Sequence, residues 1–94
     1  MPKIEHYEAI TAEIVRLLAE ERKRCGLSNY AVSKRSGISQ STLSLVERGL
    51  RNPTMELILR IADAIGADLP AIMKQAQETI TKSRPGKPEL PTTA

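Results

Sequence analysis

Phenylalanine and tryptophan are missing from this 94-residue chain, and Tyr7 and Tyr30 are its only aromatic residues. A core must therefore be built from Leu, Ile, Val, Met and Ala, which favours packed helices. There is a single cysteine, Cys25, so no disulfide can close within the chain, as suits a reducing compartment. Cys25 and the lone histidine, His6, are the only good soft ligands, so neither a metal site nor a cofactor is expected. No apolar run approaches the roughly 18 residues of a membrane span. The opening MPKIEHYEAI is too charged for a secretory signal. No segment alternates between polar and apolar residues for long enough to read as a strand. What is present, 40% hydrophobic and 27% charged residues, places the chain among globular proteins rather than disordered ones. The expectation is one small, soluble, cytoplasmic helical domain.

The net charge of +3 is modest but unevenly placed. Residues 1–15 carry one lysine against three glutamates, residues 16–60 nine basic against four acidic residues, and residues 61–80 one against three. A basic middle between acidic flanks is suited to a phosphate-bearing partner, although an ordinary solvated helix surface has the same look.

Apolar periodicity lays out five helices. Ile10, Ile14, Leu17 and Leu18 make one stripe of a first helix over 7–24, with Gly26 as its stop. Ser28 caps a second helix ending at Ser36, closed by Gly37; Ser39 caps a third, over 40–48, closed by Gly49. After the loop 50–52 and Pro53, Thr54 caps a fourth helix over 55–65, with Ile58, Ile61, Ala62 and Ile65 as its stripe. Asp68 caps a fifth, in which Pro70 falls in the first turn and Leu69, Ile72, Met73 and Ala76 share a face that Ile80 extends. From Thr81 on, TKSRPGKPELPTTA reads as a flexible tail, so the layout is a domain over 1–80 and a tail over 81–94.

The informative stretch is NYAVSKRSGISQSTLSLVER, residues 29–48. Two short capped helices joined by Ser36-Gly37-Ile38-Ser39 form a helix-turn-helix arrangement. Gly37 supplies the positive φ of the reversal, and Ser33 is small enough for the second helix of the pair to approach. Ile38 plugs the turn into the core, where Val32, Leu43 and Val46 face inward. Gln40, Ser41, Thr42 and Ser44 are left on the outside.

The run from Arg22 to Leu69 resembles the Xre family of bacterial and phage regulators, the Cro and phage-repressor type. The matching residues are Gly26-Leu27-Ser28, Gly37-Ile38-Ser39, Glu47-x-Gly49-x-Arg51-x-Pro53 and Leu57-x-x-Ile61-Ala62-x-Ala64-Ile65-Gly66. The resemblance covers roughly residues 10–75 and implies an all-α, compact five-helix bundle. Two positions depart from it: Asn29 stands where the family usually has Gln, and Ser33 where it prefers Ala. Asn29 is the shorter side chain and weakens a phosphate contact or passes it to the backbone; Ser33 keeps the packing.

The resemblance implies a sequence-specific regulator of double-stranded DNA, its third helix in the major groove. Base contacts then fall to Gln40, Ser41, Thr42, Ser44 and Leu45, with Gln40 suited to adenine. Phosphate contacts fall to Asn29, Arg48, Arg51, Asn52 and Thr54, whereas Lys34 and Arg35 read as solvating residues. Arg22 and Glu47 hold positions that often pair behind the recognition helix. A homodimer on a pseudo-palindromic operator is implied, with Met73, Ala76 and Ile80 as its interface. Cys25 is expected to pack at the end of the first helix and His6 to lie on the surface; no constellation supports catalysis. The alternative reading is an antitoxin, its tail 81–94 folding on a protein partner while the domain binds its own promoter.

Overall fold

Hydroxyl and carboxylate side chains start four of the helices. Ser28 Oγ accepts from the Ala31 N–H, Ser39 Oγ from Thr42 and Thr54 Oγ1 from Leu57, all at 3.1 Å, while Asp68 Oδ1 accepts from Ala71 at 3.2 Å. Each satisfies one of the amides that a helix start leaves without an internal partner, a contribution of about 1 kcal/mol per cap. The computed structural model describes residues 4–82. The elements are α1 (Ile4–Arg24), α2 (Asn29–Ser36), α3 (Gln40–Glu47), α4 (Met55–Ile65) and α5 (Leu69–Lys82). All are α-helices, and none is long and apolar enough to cross a membrane.

The long α1 is the strut of the bundle. It packs against α3, α4 and α5, while α2 lies across α3 and α4. Ile14, Leu17 and Leu18 of α1 meet Val32, Ile38, Leu43, Ile58, Ala62, Ile65, Leu69 and Ala76 in one continuous core, with Ile10, Leu27, Leu57, Ile61, Ile72 and Met73 around its edge. No polar or charged residue among those described is fully buried, so aliphatic packing alone fills the interior.

The turn between α2 and α3 is held by both chain and side chain. Gly37 adopts φ 76°, ψ 11°, and its N–H returns to the Ser33 carbonyl. Ser36 Oγ accepts the Ile38 N–H at 3.1 Å, a contact that residue spacing alone does not announce. Ile38, 6% exposed, is thereby set into the core.

Some boundaries and placements differ from the sequence expectation. α1 begins at Ile4 rather than Tyr7, with Glu5 favourably placed in its first turn. α3 ends at Glu47, because Arg48 leaves helical geometry as a C-cap at ψ 1°. α5 continues through Thr81 and Lys82, so the expected boundary at 80/81 falls inside a helix. No proline or glycine stands at Thr81 or Lys82, so the local sequence does not stop the helix at Ile80. The rest of the expected tail, 83–94, lies outside the described residues.

Ala76 is fully covered within the monomer, so it cannot contribute to the expected dimer surface; α5 turns this small residue into the core. Cys25 does not pack at the helix end: it is exposed, its Sγ 3.7 Å from a Glu21 carboxylate oxygen. His6 is half-buried rather than freely exposed, with Nδ1 shielded from solvent and its ring centroid 5.6 Å from that of Tyr7.

A Cβ added at Gly37 would meet nothing closer than Arg60 Nη1 at 3.6 Å, so the cost of substitution is backbone strain and not a clash. Gly37→Ala is expected to destabilise the fold by about 1–2 kcal/mol, the left-handed penalty. Chemical denaturation of the two proteins measures it.

Candidate nucleic-acid interface

At 100° per residue, Leu43 and Val46 occupy one side of α3, and both are buried, 2% and 3% exposed. The opposite side then belongs to Ser41, Ser44 and Leu45, with Gln40 at its edge in the first turn. Gln40 and Ser41 are exposed and Ser44 is half-buried, giving a polar face on a helix whose other side is anchored. Two expected reading residues carry structural duties as well. Thr42 is half-buried and its Oγ1 accepts from the Ser39 hydroxyl at 3.0 Å, inside the cap of α3. Leu45, 37% exposed, gives its carbonyl to the Leu50 N–H at 2.9 Å, while the Gly49 N–H bonds the Val46 carbonyl. This is a Schellman ending of α3.

Behind α3, the Arg22 guanidinium reaches from α1 to three acceptors. Nε donates to Glu47 Oε2 at 2.9 Å, Nη2 to Glu47 Oε1 at 3.3 Å and Nη1 to the Leu27 carbonyl at 2.8 Å. One planar fork thus ties the last turn of α3 and the α1–α2 connection to the same point on α1, in the geometry that makes arginine–carboxylate pairs strong. The two side chains are 14% and 25% exposed, so solvent screens the pair only partly.

Asn29 opens α2 beside that fork. Its Oδ1 is shielded from solvent without a hydrogen-bond partner, and it lines a void of about 20 Å³ together with Arg22, Glu47, Val32, Leu43 and Val46.

The expected phosphate residues fall into two groups. Arg48, Arg51 and Asn52 are exposed on the loop after α3 and, with Thr11, Arg16 and Lys23 of α1, border an open groove of about 650 Å³. Arg16 is already held by ion pairs to Glu13 and Glu20, and its proton is bound more tightly than in a free guanidinium because the Glu13 carboxylate accepts from it. Thr54, by contrast, has its oxygen committed to the cap of α4.

Three features were not read from the sequence. Arg35 is not merely solvated: its Nη1 donates to the Ala64 carbonyl at 3.1 Å, at the end of α4. Arg60 of α4 reaches back, Nη1 to the Ser36 carbonyl at 3.5 Å, while its Nη2 donates to Glu56 at 2.8 Å. Arg35 in the last turn of α2 carries such a signal, but Arg60 in the middle of α4 does not, and in both cases the end of a different helix supplies the partner. Tyr30, 57% exposed, lies under the Lys34 ammonium, 5.7 Å from the ring centroid, on the solvent side of α2.

A family model described as helix-turn-helix matches residues 9–72, more than half of the chain and all of α2, the turn and α3. The chain belongs to the Xre-type helix-turn-helix family. That family is a DNA-binding class and not a catalytic one. Among curated relatives, an uncharacterized HTH-type transcriptional regulator, y4dJ, of Sinorhizobium fredii (strain NBRC 101917 / NGR234) is 39% identical over 61 residues, covering 65% of this chain and 79% of its own. An uncharacterized HTH-type transcriptional regulator of Methanothermobacter thermautotrophicus is 35% identical over 52 residues, covering 55% of this chain and 75% of its own. No solved structure matches the chain. Gln40, Ser41 and Ser44 stand on the second helix of the matched helix-turn-helix, and Asn29 at the start of its first.

Removing Arg22 leaves Glu47 unpaired in a half-covered site. Arg22→Ala is expected to cost about 2–3 kcal/mol, below the roughly 3–5 kcal/mol of a fully buried pair. In a domain of this size that lowers the unfolding temperature by on the order of 10 °C. A thermal scan checks it, and Arg22→Met with Glu47→Leu should recover much of the loss.

Proposed function

We propose that this chain is a sequence-specific transcriptional regulator that binds double-stranded DNA as a homodimer on a pseudo-palindromic operator. The observation that carries the reading is α3 itself. Its inner side is fixed by Leu43, Val46 and the Arg22–Glu47 fork, while Gln40 and Ser41 are exposed polar side chains on the outer side. A rigid helix with a free polar face is what base-edge reading in a major groove demands.

In this reading Gln40 offers its amide to adenine N6 and N7, and Ser41 and Ser44 bond neighbouring base edges. Thr42 and Leu45 lend methyl groups near a thymine, within the limits their cap and Schellman contacts leave them. Asn29 at the positive end of α2, together with Arg48, Arg51 and Asn52, grips the sugar–phosphate backbone. Thr54 enters this set through the amides at the start of α4 rather than through its hydroxyl oxygen. These contacts set register and salt dependence, and the face of α3 sets the sequence. Two copies place two recognition helices about 34 Å apart, one turn of duplex. Occupancy of the operator, blocking or assisting polymerase, is then the regulatory act.

Selection from a random duplex pool at near-physiological salt is expected to enrich a two-fold symmetric motif. Gln40→Ala should relax preference at one base pair per half-site, at a cost of about 1–3 kcal/mol. Arg48→Ala or Arg51→Ala should weaken all sequences alike and lower the salt slope by about one. If binding is salt-sensitive but enriches no motif, the operator reading fails; a second small protein that copurifies with the chain would then favour the antitoxin.

A further inference from the structure

By tying Arg22 to Glu47, the fork also fixes the residues that follow them, Lys23 in the last turn of α1 and Arg48 at the end of α3. Both are exposed, and with Arg51 they border the open groove of about 650 Å³ between α1 and the loop after α3. The carboxylates of that region are already engaged. Glu20 is held by Arg16, Glu21 by Arg24 and Glu47 by Arg22. Lys23, Arg48 and Arg51 have no ion-pair partner among the described residues.

Free cations gathered on one rim repel one another and favour an anion between them. The other end of the groove differs: Glu8 lies there, with Asn52 and Pro53 across from it. At the rise of a helix, Glu8 and Lys23 are about 22 Å apart along α1. A lysine in a last helical turn has a local reason in the helix dipole, and a C-cap arginine has the same one. Arg51 has none, because it belongs to no helix, yet it borders the same groove. A run of phosphodiesters suits this rim. Arg48 and Gly49 join it directly to α3, so a duplex read by α3 brings its own phosphates there. Lysine meets a phosphate as a mobile point charge, whereas arginine does so as a fork.

We propose that Lys23 is a further DNA-binding residue: with Arg48 and Arg51 it holds one strand of the duplex backbone in the basic end of the groove, between α1 and the loop after α3. The contact lies at the C-terminal end of α3, away from Gln40, so it adds affinity and footprint but no base choice. It rests on the regulator reading and deepens it by bringing α1 into the contact surface. The Arg22–Glu47 fork then has two roles. It sets the pitch of α3, and it sets the spacing of the cations on either side of the groove.

The test is the salt dependence of duplex binding by the full chain. Each phosphate neutralised by a cation contributes about 0.9 to the slope of log affinity against log salt. Lys23→Ala should lower the slope by about one per bound copy and leave the enriched motif unchanged, and Lys23→Arg should keep the slope. Lys74→Ala removes the same charge from the exposed side of α5, outside the groove, and should leave the slope as it is. Ethylation interference should show a phosphate whose modification weakens the parent chain and no longer weakens Lys23→Ala. A purely structural role for Lys23 in the last turn of α1 would lower the unfolding temperature and move neither readout. An unchanged slope in a folded Lys23→Ala overturns the contact while leaving motif selection standing. If Lys23→Glu then releases a copurifying acidic protein, the rim belongs to that partner instead. A duplex pool that enriches no motif sinks the regulator reading, and the slope of Lys23→Ala on that pool still decides the phosphate contact.

Discussion

A guanidinium held by three acceptors from two other segments governs how the rest of this small protein is arranged. Arg22 is on α1, Glu47 on the last turn of α3, and the Leu27 carbonyl on the connection into α2, so one side chain sets the relation of three pieces of backbone. Aliphatic contacts are not directional. A core of Leu, Ile, Val and Ala tolerates small slides of one helix on another, and this core has no aromatic ring to key it. The planar fork supplies the missing direction: it accepts a carboxylate at one angle and fixes the pitch of α3 on α1. The pair adds less to net stability than its geometry suggests, because both charges leave water; what it contributes is orientation.

Orientation matters because the outward face of α3 is short. Two turns of helix present Gln40, Ser41 and Ser44, with Thr42 and Leu45 shared between that face and the ends of the helix. A base edge discriminates by hydrogen bonds whose strength falls steeply when the approach is skewed. The second brace comes from α4, where Arg60 touches the Ser36 carbonyl, while Arg35 of α2 bonds the Ala64 carbonyl in return. Both arginines sit at the C-terminal end of the other's helix, where carbonyls lack internal partners and the dipole favours a cation. The helix-turn-helix unit is thus pinned from α1 on one side and α4 on the other.

Punctuation made most of the fold legible. Ser28, Ser39, Thr54 and Asp68 are caps by residue type and caps in the structure, and Gly37 takes the left-handed conformation that its place in the turn requires. Ile14, Leu17, Leu18, Val32, Ile38, Leu43 and Val46 are buried as their periodicity indicates. The errors lie where local signals are silent. No residue type marks Ile4 as a helix start or Ile80 as a point beyond which α5 continues. Arg48 is the C-cap of α3 and not its last helical residue, and a basic residue fits a last turn and a C-cap equally well.

Local chemistry in the chain therefore determined the number of helices, their caps, the inward stripe of each and the polar face of residues 40–48, because each depends on neighbours within about four positions. Which of the remaining surfaces stay open was decided only by tertiary packing. The stripe of α5 and the outer residues of α4 look alike as strings of apolar residues, yet α1 covers Ala76 completely and leaves Leu59 half in solvent. The same holds for Arg35, whose side chain reads as solvated in the sequence and is engaged by the Ala64 carbonyl once the helices are brought together. Burial and hydrogen-bond partnership depend on segments that lie up to 29 residues apart here, and no periodicity within one helix can report them.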